Sequence, residues 1–182
     1  MTESPGTVGS ARTTTVLDPG FLQGIKVLPT DEVRRRRDES FAEREFQSYL
    51  RRQVQVRQDI LVAELSRREA GREPQPLVEQ LTSVLAKRPR TTRSRGEAFR
   101  MALTGADIEE AERQLELLLP KFNLDDPPSL EDHELAEALA TLSKVERAVS
   151  SLRAKVNRVH DRLQEELKDR YRENPGEIPR EL

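Results

Sequence analysis

The chain has 182 residues, of which 35% are charged and 35% hydrophobic, and its formal net charge is −2 at pH 7. It contains no cysteine, which excludes disulfides, cysteine nucleophiles and thiolate metal sites. The balanced charge gives no global electrostatic case for nucleic acid, and the low apolar content favours long helices with narrow buried seams over a large compact core.

The N-terminal region, residues 1–30, is rich in Thr, Ser, Gly and Pro and shows no sustained hydrophobic periodicity. This composition predicts a disordered tail. The region also lacks the apolar stretch of a signal peptide, and no apolar run in the chain approaches the length of a membrane span. We therefore expect a cytoplasmic protein that does not contact a membrane.

Four helices are expected after this tail, because stretches of helical periodicity alternate with Gly and Pro breakers. Gly71 follows the first helix, Pro120 stops the third, and Pro175 with Gly176 stops the fourth. The four helices form one predicted helical domain, residues 31–173. The helices are placed at about residues 31–70, 77–87, 107–119 and 130–172, with a basic loop at 87–100 and a C-terminal tail at 174–182.

Apolar residues recur every seven positions along the last helix, which is typical of a coiled coil. The two rows are Leu142, Val149, Val156 and Leu163, and Val145, Leu152 and Val159. The first helix is less regular, because the polar residues Gln47, Arg57 and Glu64 occupy seam positions among its apolar ones. Both long helices are nevertheless predicted to pack through such a seam.

One polar pattern, S-x-x-R-x-x-x-[QN]-x-x-x-D, occurs on both long helices, with a charged residue four positions before each serine. Spacings of three and four residues place all five positions of a copy on one helix face, within an arc of about 80°. We call each set a polar stripe. The first stripe is Arg44, Ser48, Arg51, Gln55 and Asp59, and the second is Glu146, Ser150, Arg153, Asn157 and Asp161.

The two stripes share one heptad register, e, b, e, b, f, relative to the seams. Position e flanks the seam, and in an antiparallel pair e of one helix neighbours e of the other, whereas in a parallel pair e neighbours g. Antiparallel pairing therefore brings both stripes to the same side. The sequence predicts an all-α fold, a long antiparallel coiled-coil hairpin with short connecting helices.

The stripe chemistry suits a guanine nucleotide with approximate two-fold symmetry. Arginine binds phosphate or the O6/N7 edge of guanine through a planar fork, and a carboxylate accepts hydrogen bonds from guanine N1–H and N2–H. The amides can donate and accept, and the serines can reach a phosphate or a ribose. The alternative is that these residues face solvent and pair along their own helices, where each pair contributes only about 0.2–0.5 kcal/mol.

The segments 48–68 and 146–161 resemble the two signatures of the RsiG family, actinobacterial anti-sigma factors armed by cyclic di-GMP, and residues 76–89 resemble the family's connecting region. The family motif, E-x-x-x-S-x-x-R-x-x-x-Q-x-x-x-D, occurs twice on an antiparallel coiled coil. The resemblance implies binding of a cyclic di-GMP dimer and capture of a WhiG-like flagellar or sporulation sigma factor. Such capture would repress transcription for sporulation and aerial mycelium formation.

The same resemblance implies ligand contacts for the eight stripe residues that match the family motif, and we expect all ten stripe residues to contact cyclic di-GMP. Two of them depart from the family motif: Arg44 replaces its first glutamate, and Asn157 replaces its second glutamine. Arg44 reverses a charge, which removes a carboxylate acceptor and offers a phosphate contact instead. Asn157 retains the amide on a side chain shorter by one methylene.

Two other functions are compatible with parts of the sequence. A coiled-coil adaptor or scaffold that needs no ligand accounts equally well for the heptads. Nucleic-acid binding through the basic loop 87–100 is a further alternative, although the negative net charge argues against direct DNA contact. We expect neither an enzyme nor a metal site, since there is no Gly-rich phosphate loop, nucleophile elbow or paired-His motif, and His133 and His160 are expected at the surface.

Overall fold

The structure, a computed structural model, describes residues 9–71, 103–118 and 126–177. Within these ranges the chain forms α-helices and short 3-10 turns without any strand, so the prediction of an all-α fold is confirmed. The helix expected at 77–87 and the basic loop at 87–100 lie outside the described residues. The helices are α1 (Ala11–Leu17), α2 (Thr30–Glu69), α3 (Gly105–Leu118) and α4 (Asp132–Glu173).

Helices α2 and α4 are 40 and 42 residues long and form the predicted antiparallel hairpin. At a rise of 1.5 Å per residue, each spans about 60 Å. Three cross-helix hydrogen bonds show the direction, because the α4 partner falls in number as the α2 residue rises. They join Arg34 to Tyr171 at 2.8 Å, Ser40 to His160 at 3.2 Å and Gln58 to Ser143 at 3.3 Å.

The breakers act as the sequence predicts. Helix α2 ends at Glu69, and Gly71 adopts a φ of 62°, a left-handed conformation that glycine tolerates best after a helix. Helix α4 ends at Glu173, just before Pro175. None of the helices in the described ranges is both long enough and apolar enough to cross a bilayer.

The hydrophobic core of the hairpin is divided into two clusters along its length. One cluster unites the C-terminal half of α2 with the N-terminal half of α4 and with α3, for example through Leu50, Leu115 and Leu142. The other lies at the opposite end of the hairpin and includes Val33 and Leu163. The predicted heptad residues of α4 thus supply both clusters, with Leu142, Val145, Val149, Val156 and Leu163 all buried.

The N-terminal region differs from the prediction. Residues 1–30 were expected to be a disordered tail, but Ala11–Leu17 form α1, and Pro19–Leu22 form a 3-10 turn. The side chains of Val16, Phe21 and Ile25 are buried in the second core cluster. This segment is ordered because it supplies apolar surface that covers the end of the hairpin, a contribution that composition alone does not reveal.

A buried polar network anchors α1 to α2. The Glu43 side chain is fully buried and accepts hydrogen bonds from Thr13 Oγ1, from Arg12 Nε at 3.1 Å and from Gln47 Nε2 at 2.8 Å. Arg12 also donates to Asp107 on α3 at 2.5 Å. The buried Glu43 side chain is thus hydrogen-bonded by partners from two helices, as buried polar groups require.

Candidate functional site

The two polar stripes meet across the α2–α4 interface. Arg51 Nε on α2 donates to Ser150 Oγ on α4 at 2.8 Å, and Arg153 Nε on α4 donates to Ser48 Oγ on α2 at 2.9 Å. The arginine of each stripe therefore bonds the serine of the other. The arrangement has local two-fold pseudosymmetry, with the approximate axis passing between the helices at these four residues.

Local hydrogen bonds prepare both serines for this exchange. Ser48 Oγ donates to the main-chain oxygen of Arg44 at 2.7 Å, and Ser150 Oγ donates to Glu146 Oε1 at 2.9 Å. A hydroxyl has one proton, so each serine then presents lone pairs to the incoming arginine. The spacing of four residues between the first and second motif positions makes both intrahelical bonds possible.

Glu146 accepts hydrogen bonds from three side chains at one end of the site. Its Oε1 accepts from Arg51 Nε at 2.8 Å and lies 3.4 Å from Gln55 Nε2, in addition to the Ser150 bond. Burial alone raises the pKa of Glu146, but the hydrogen bonds from Ser150 and Arg51 outweigh it and hold the pKa below the ordinary value. Glu146 is therefore an ionised acceptor at neutral pH.

The other end of the site has different chemistry. The Arg44 guanidinium lies 4.6 Å from the centre of the Phe41 ring, and its Nε is 3.3 Å from Glu45 Oε1. On α4, the Oδ1 atom of Asn157 is buried and accepts no hydrogen bond from any residue that the structure describes. This end thus offers a cation and an unsatisfied carbonyl where the first end has a carboxylate and an amide donor.

His160 lies beside this second end and corrects one prediction. It was expected at the surface but is buried, with its Nδ1 atom 3.2 Å from Ser40 Oγ and its ring 5.9 Å from Phe41. Burial, followed by the positive charge of Arg44, lowers the pKa of His160 below 6.5. The imidazole is therefore neutral at pH 7. His133 is exposed, as expected.

The two aspartates lie at opposite ends of the paired stripes. Asp59 is half-buried one turn beyond Gln55 on α2, whereas Asp161 is exposed one turn beyond Asn157 on α4. Asp161 lines a shallow surface groove together with Lys168 and Arg172. The contacts that join the helices therefore involve the middle of each stripe, and the aspartates extend the polar surface outward in both directions.

On α2, the polar stripe lies on roughly the opposite face from the contact with α1. Helix α1 contacts α2 at Phe46, whose ring lies 5.9 Å from the Arg12 guanidinium, and Phe46 and Ser48 point roughly 160° apart around the helix. The side chain of Arg51 is 38% exposed and that of Glu146 is 21% exposed. The centre of the paired stripes is thus partly exposed, and the stripe from Arg44 to Asp59 extends roughly 22 Å along α2.

The paired stripes bring charged and hydrogen-bonding groups together on one side of the hairpin. Guanidinium, carboxylate, amide and hydroxyl groups alternate along it, and they match the donors and acceptors of a guanine base and the oxygens of a phosphate. Across residues 9–71, 103–118 and 126–177, no three His, Cys, Asp or Glu residues cluster closely enough to hold a metal ion.

The fold and the site together define a class of protein, a two-helix coiled coil with one composite polar site built from a duplicated motif. Residues 19–85 match the family model described as RsiG-like, which confirms the resemblance found in the sequence. The match includes the whole first stripe and ends before the second. No curated protein matches the chain. The matched segment is little more than a third of the chain, and the RsiG-like family suggests a regulatory, anti-sigma factor role with a sigma factor as partner.

Proposed function

We propose that the chain is an anti-sigma factor that binds cyclic di-GMP on the paired stripes and then sequesters a WhiG-like flagellar or sporulation sigma factor. The observation that carries the proposal is the reciprocal pairing of Arg51 with Ser150 and of Arg153 with Ser48. Two equivalent arginines on one open face suit a ligand with repeated guanines and phosphates. A dimer of cyclic di-GMP has that character.

The free protein holds its arginines in a form that a nucleotide can use. The observed interhelical hydrogen bonds of Arg51 and Arg153 involve Nε, so the terminal nitrogens of both guanidinium groups remain for a bidentate contact with guanine O6/N7 or phosphate. The ionised Glu146 carboxylate supplies an acceptor for guanine N1–H and N2–H. The helices therefore preorganise donor and acceptor groups before any ligand arrives.

Rearranging the site costs little compared with what the ligand supplies. The Arg51–Glu146 ion pair is partly exposed, and such pairs contribute about 0.2–1 kcal/mol. A hydrogen bond to a charged group contributes about 1.5–3 kcal/mol, and a nucleotide on this face makes several. Ligand contacts therefore outweigh the interactions that they replace.

Sigma capture would depend on the ligand through linkage. If the sigma factor binds the nucleotide-loaded surface more tightly than the free one, the nucleotide must bind more tightly to the sigma complex by the same factor. The nucleotide neutralises guanidinium charge on the hairpin and presents its own edges beside the helices. The surface that captures the sigma factor is thus composite, part protein and part ligand.

Size-exclusion chromatography of the chain with a WhiG-like sigma factor tests the proposal. We expect a stable complex with cyclic di-GMP and none with cyclic di-AMP, which carries the same phosphates without the guanine donor edge. A complex that forms equally without nucleotide would refute the proposal and favour a coiled-coil adaptor that needs no ligand. A thermal denaturation series with both nucleotides reports ligand binding separately from sigma capture.

A further inference from the structure

The two ends of the paired stripes are related by the pseudosymmetry but differ in charge. Gln55 lies four residues after Arg51 on α2, and Glu146 lies four residues before Ser150 on α4. Gln55 and Glu146 are in contact. Four residues back from Ser48 lies Arg44, and the equivalent step along α4 from Arg153 leads to Asn157. The register therefore places Arg44 and Asn157 opposite each other.

At both ends α2 supplies a hydrogen-bond donor and α4 supplies an acceptor, but the side chains that do so differ. At the first end, the acceptor is the Glu146 carboxylate on α4, and the donor is the Gln55 amide on α2. At the second end, α2 supplies the donor through Arg44, and α4 supplies a buried acceptor, Asn157 Oδ1, which no described residue satisfies. Each end keeps one donor and one acceptor, while the charge changes from negative to positive.

The position of Arg44 is fixed by its surroundings. Its guanidinium lies over the Phe41 ring at 4.6 Å, a cation–π distance, and Phe41 in turn lies 5.9 Å from the His160 ring. The charge of Arg44 also contributes to the lowered pKa of His160, so Arg44 acts electrostatically on α4. These contacts hold Arg44 against Phe41 and Glu45 on α2, and the register places Asn157 opposite it on α4.

We propose that the two ends recognise different parts of the nucleotide: the Gln55–Glu146 end reads the hydrogen-bond donor edge of a guanine, and the Arg44–Asn157 end holds a phosphate through Arg44. This inference rests on the proposed function. A carboxylate repels a phosphate, and a guanidinium cannot accept from guanine N1–H, so Glu146 favours the donor edge of the base and Arg44 favours the phosphate.

Competition binding with cyclic di-GMP and cyclic di-AMP separates the two roles. Arg44→Gln is expected to weaken both nucleotides by a similar factor, about 10-fold or more, because both carry the same phosphates. The loss is expected to shrink at high salt, since a charge on the open face is screened. Glu146→Gln is expected to weaken cyclic di-GMP selectively and so reduce the discrimination between guanine and adenine.

Two further variants complete the test. Arg44→Lys retains the positive charge without the planar fork and is expected to recover most of the affinity, as a charge contact with phosphate requires. Arg158→Gln removes an exposed positive charge one residue from Asn157 and serves as the matched control, with affinity expected to remain at the wild-type value. Circular dichroism verifies that each variant keeps its helices.

The outcomes distinguish this inference from the proposed function. If wild-type protein binds cyclic di-GMP but Arg44→Gln binds it equally well, or loses only the preference for guanine, the assignment of Arg44 to phosphate is overturned and the proposed function stands. If wild-type protein does not bind cyclic di-GMP in this assay, the proposed function itself fails, and this inference fails with it.

Discussion

Replacing either central arginine should separate ligand binding from stability. In the free protein, Arg51 and its partner Glu146 are both partly exposed, so Arg51→Ala removes an ion pair worth about 0.2–1 kcal/mol and should lower the free energy of unfolding by less than about 1 kcal/mol. Among the contacts of the described residues, Arg153→Ala removes the bond to Ser48, with a similarly small effect. Helicity should be unchanged in both variants.

The effect on nucleotide affinity should be much larger. A charged hydrogen bond contributes about 1.5–3 kcal/mol, so the loss of one arginine fork should weaken cyclic di-GMP binding about 10- to 150-fold. The pseudosymmetry predicts comparable losses for Arg51→Ala and Arg153→Ala, because each arginine occupies the same position relative to the opposite serine. Sigma capture in the presence of cyclic di-GMP should fall in parallel.

Isothermal titration calorimetry measures these affinities, and urea denaturation followed by circular dichroism measures the stabilities. Arg147→Ala is the matched control, because Arg147 is exposed and adjoins Glu146 but lies off the stripe. It should bind cyclic di-GMP as wild-type protein does. Wild-type nucleotide affinity in both Arg51→Ala and Arg153→Ala would refute the assignment of the stripes to the ligand.

Three further predictions concern the fold that carries the site. Leu142→Ala should reduce the free energy of unfolding by about 2–5 kcal/mol in urea denaturation, because Leu142 is fully buried in the core of the hairpin. Thr13→Val should lower the free energy of unfolding by about 1–3 kcal/mol, because it leaves the buried Glu43 carboxylate without one donor. Thr13→Ser keeps the hydroxyl and should lower it less. Equal stabilities of the two variants would contradict the network. Lowering the pH from 7 to 5 should destabilise the protein partly through His160: its pKa is lowered by folding, so below 6.5 the unfolded chain binds a proton that the folded chain binds less readily. His160→Gln should flatten that part of the pH–stability curve, and an unchanged curve would show that His160 is not the responsible group.

Several features of the hairpin were predictable from spacing alone. A repeat of seven identifies the seam of α4, and the shared e, b, e, b, f register requires antiparallel helices if both stripes are to meet. The Arg51–Ser150 and Arg153–Ser48 bonds bear out that geometry. Spacing is sufficient here because the position of a residue on a helix face depends only on its number along that helix.

Other features depend on contacts that spacing does not encode. Heptads fix which faces meet but not the axial offset of the two helices, so the opposition of Arg44 and Asn157 required the structure. The burial of Glu43 depends on Thr13, thirty residues earlier in a region whose composition indicates disorder. His160 appears polar and solvent-facing in the sequence, yet Phe41 and Ser40 enclose it from the opposite helix.

The central claim, that two distant motifs form one nucleotide site, can be tested by NMR of protein labelled with ¹⁵N in arginine side chains. Substitutions assign the Nε–H resonances of Arg51 and Arg153, which both bond across the helices in the free protein. On titration with cyclic di-GMP, the account predicts that both resonances shift together along one binding curve. Resonances that stay in place, or that respond at different nucleotide concentrations, would contradict a shared site.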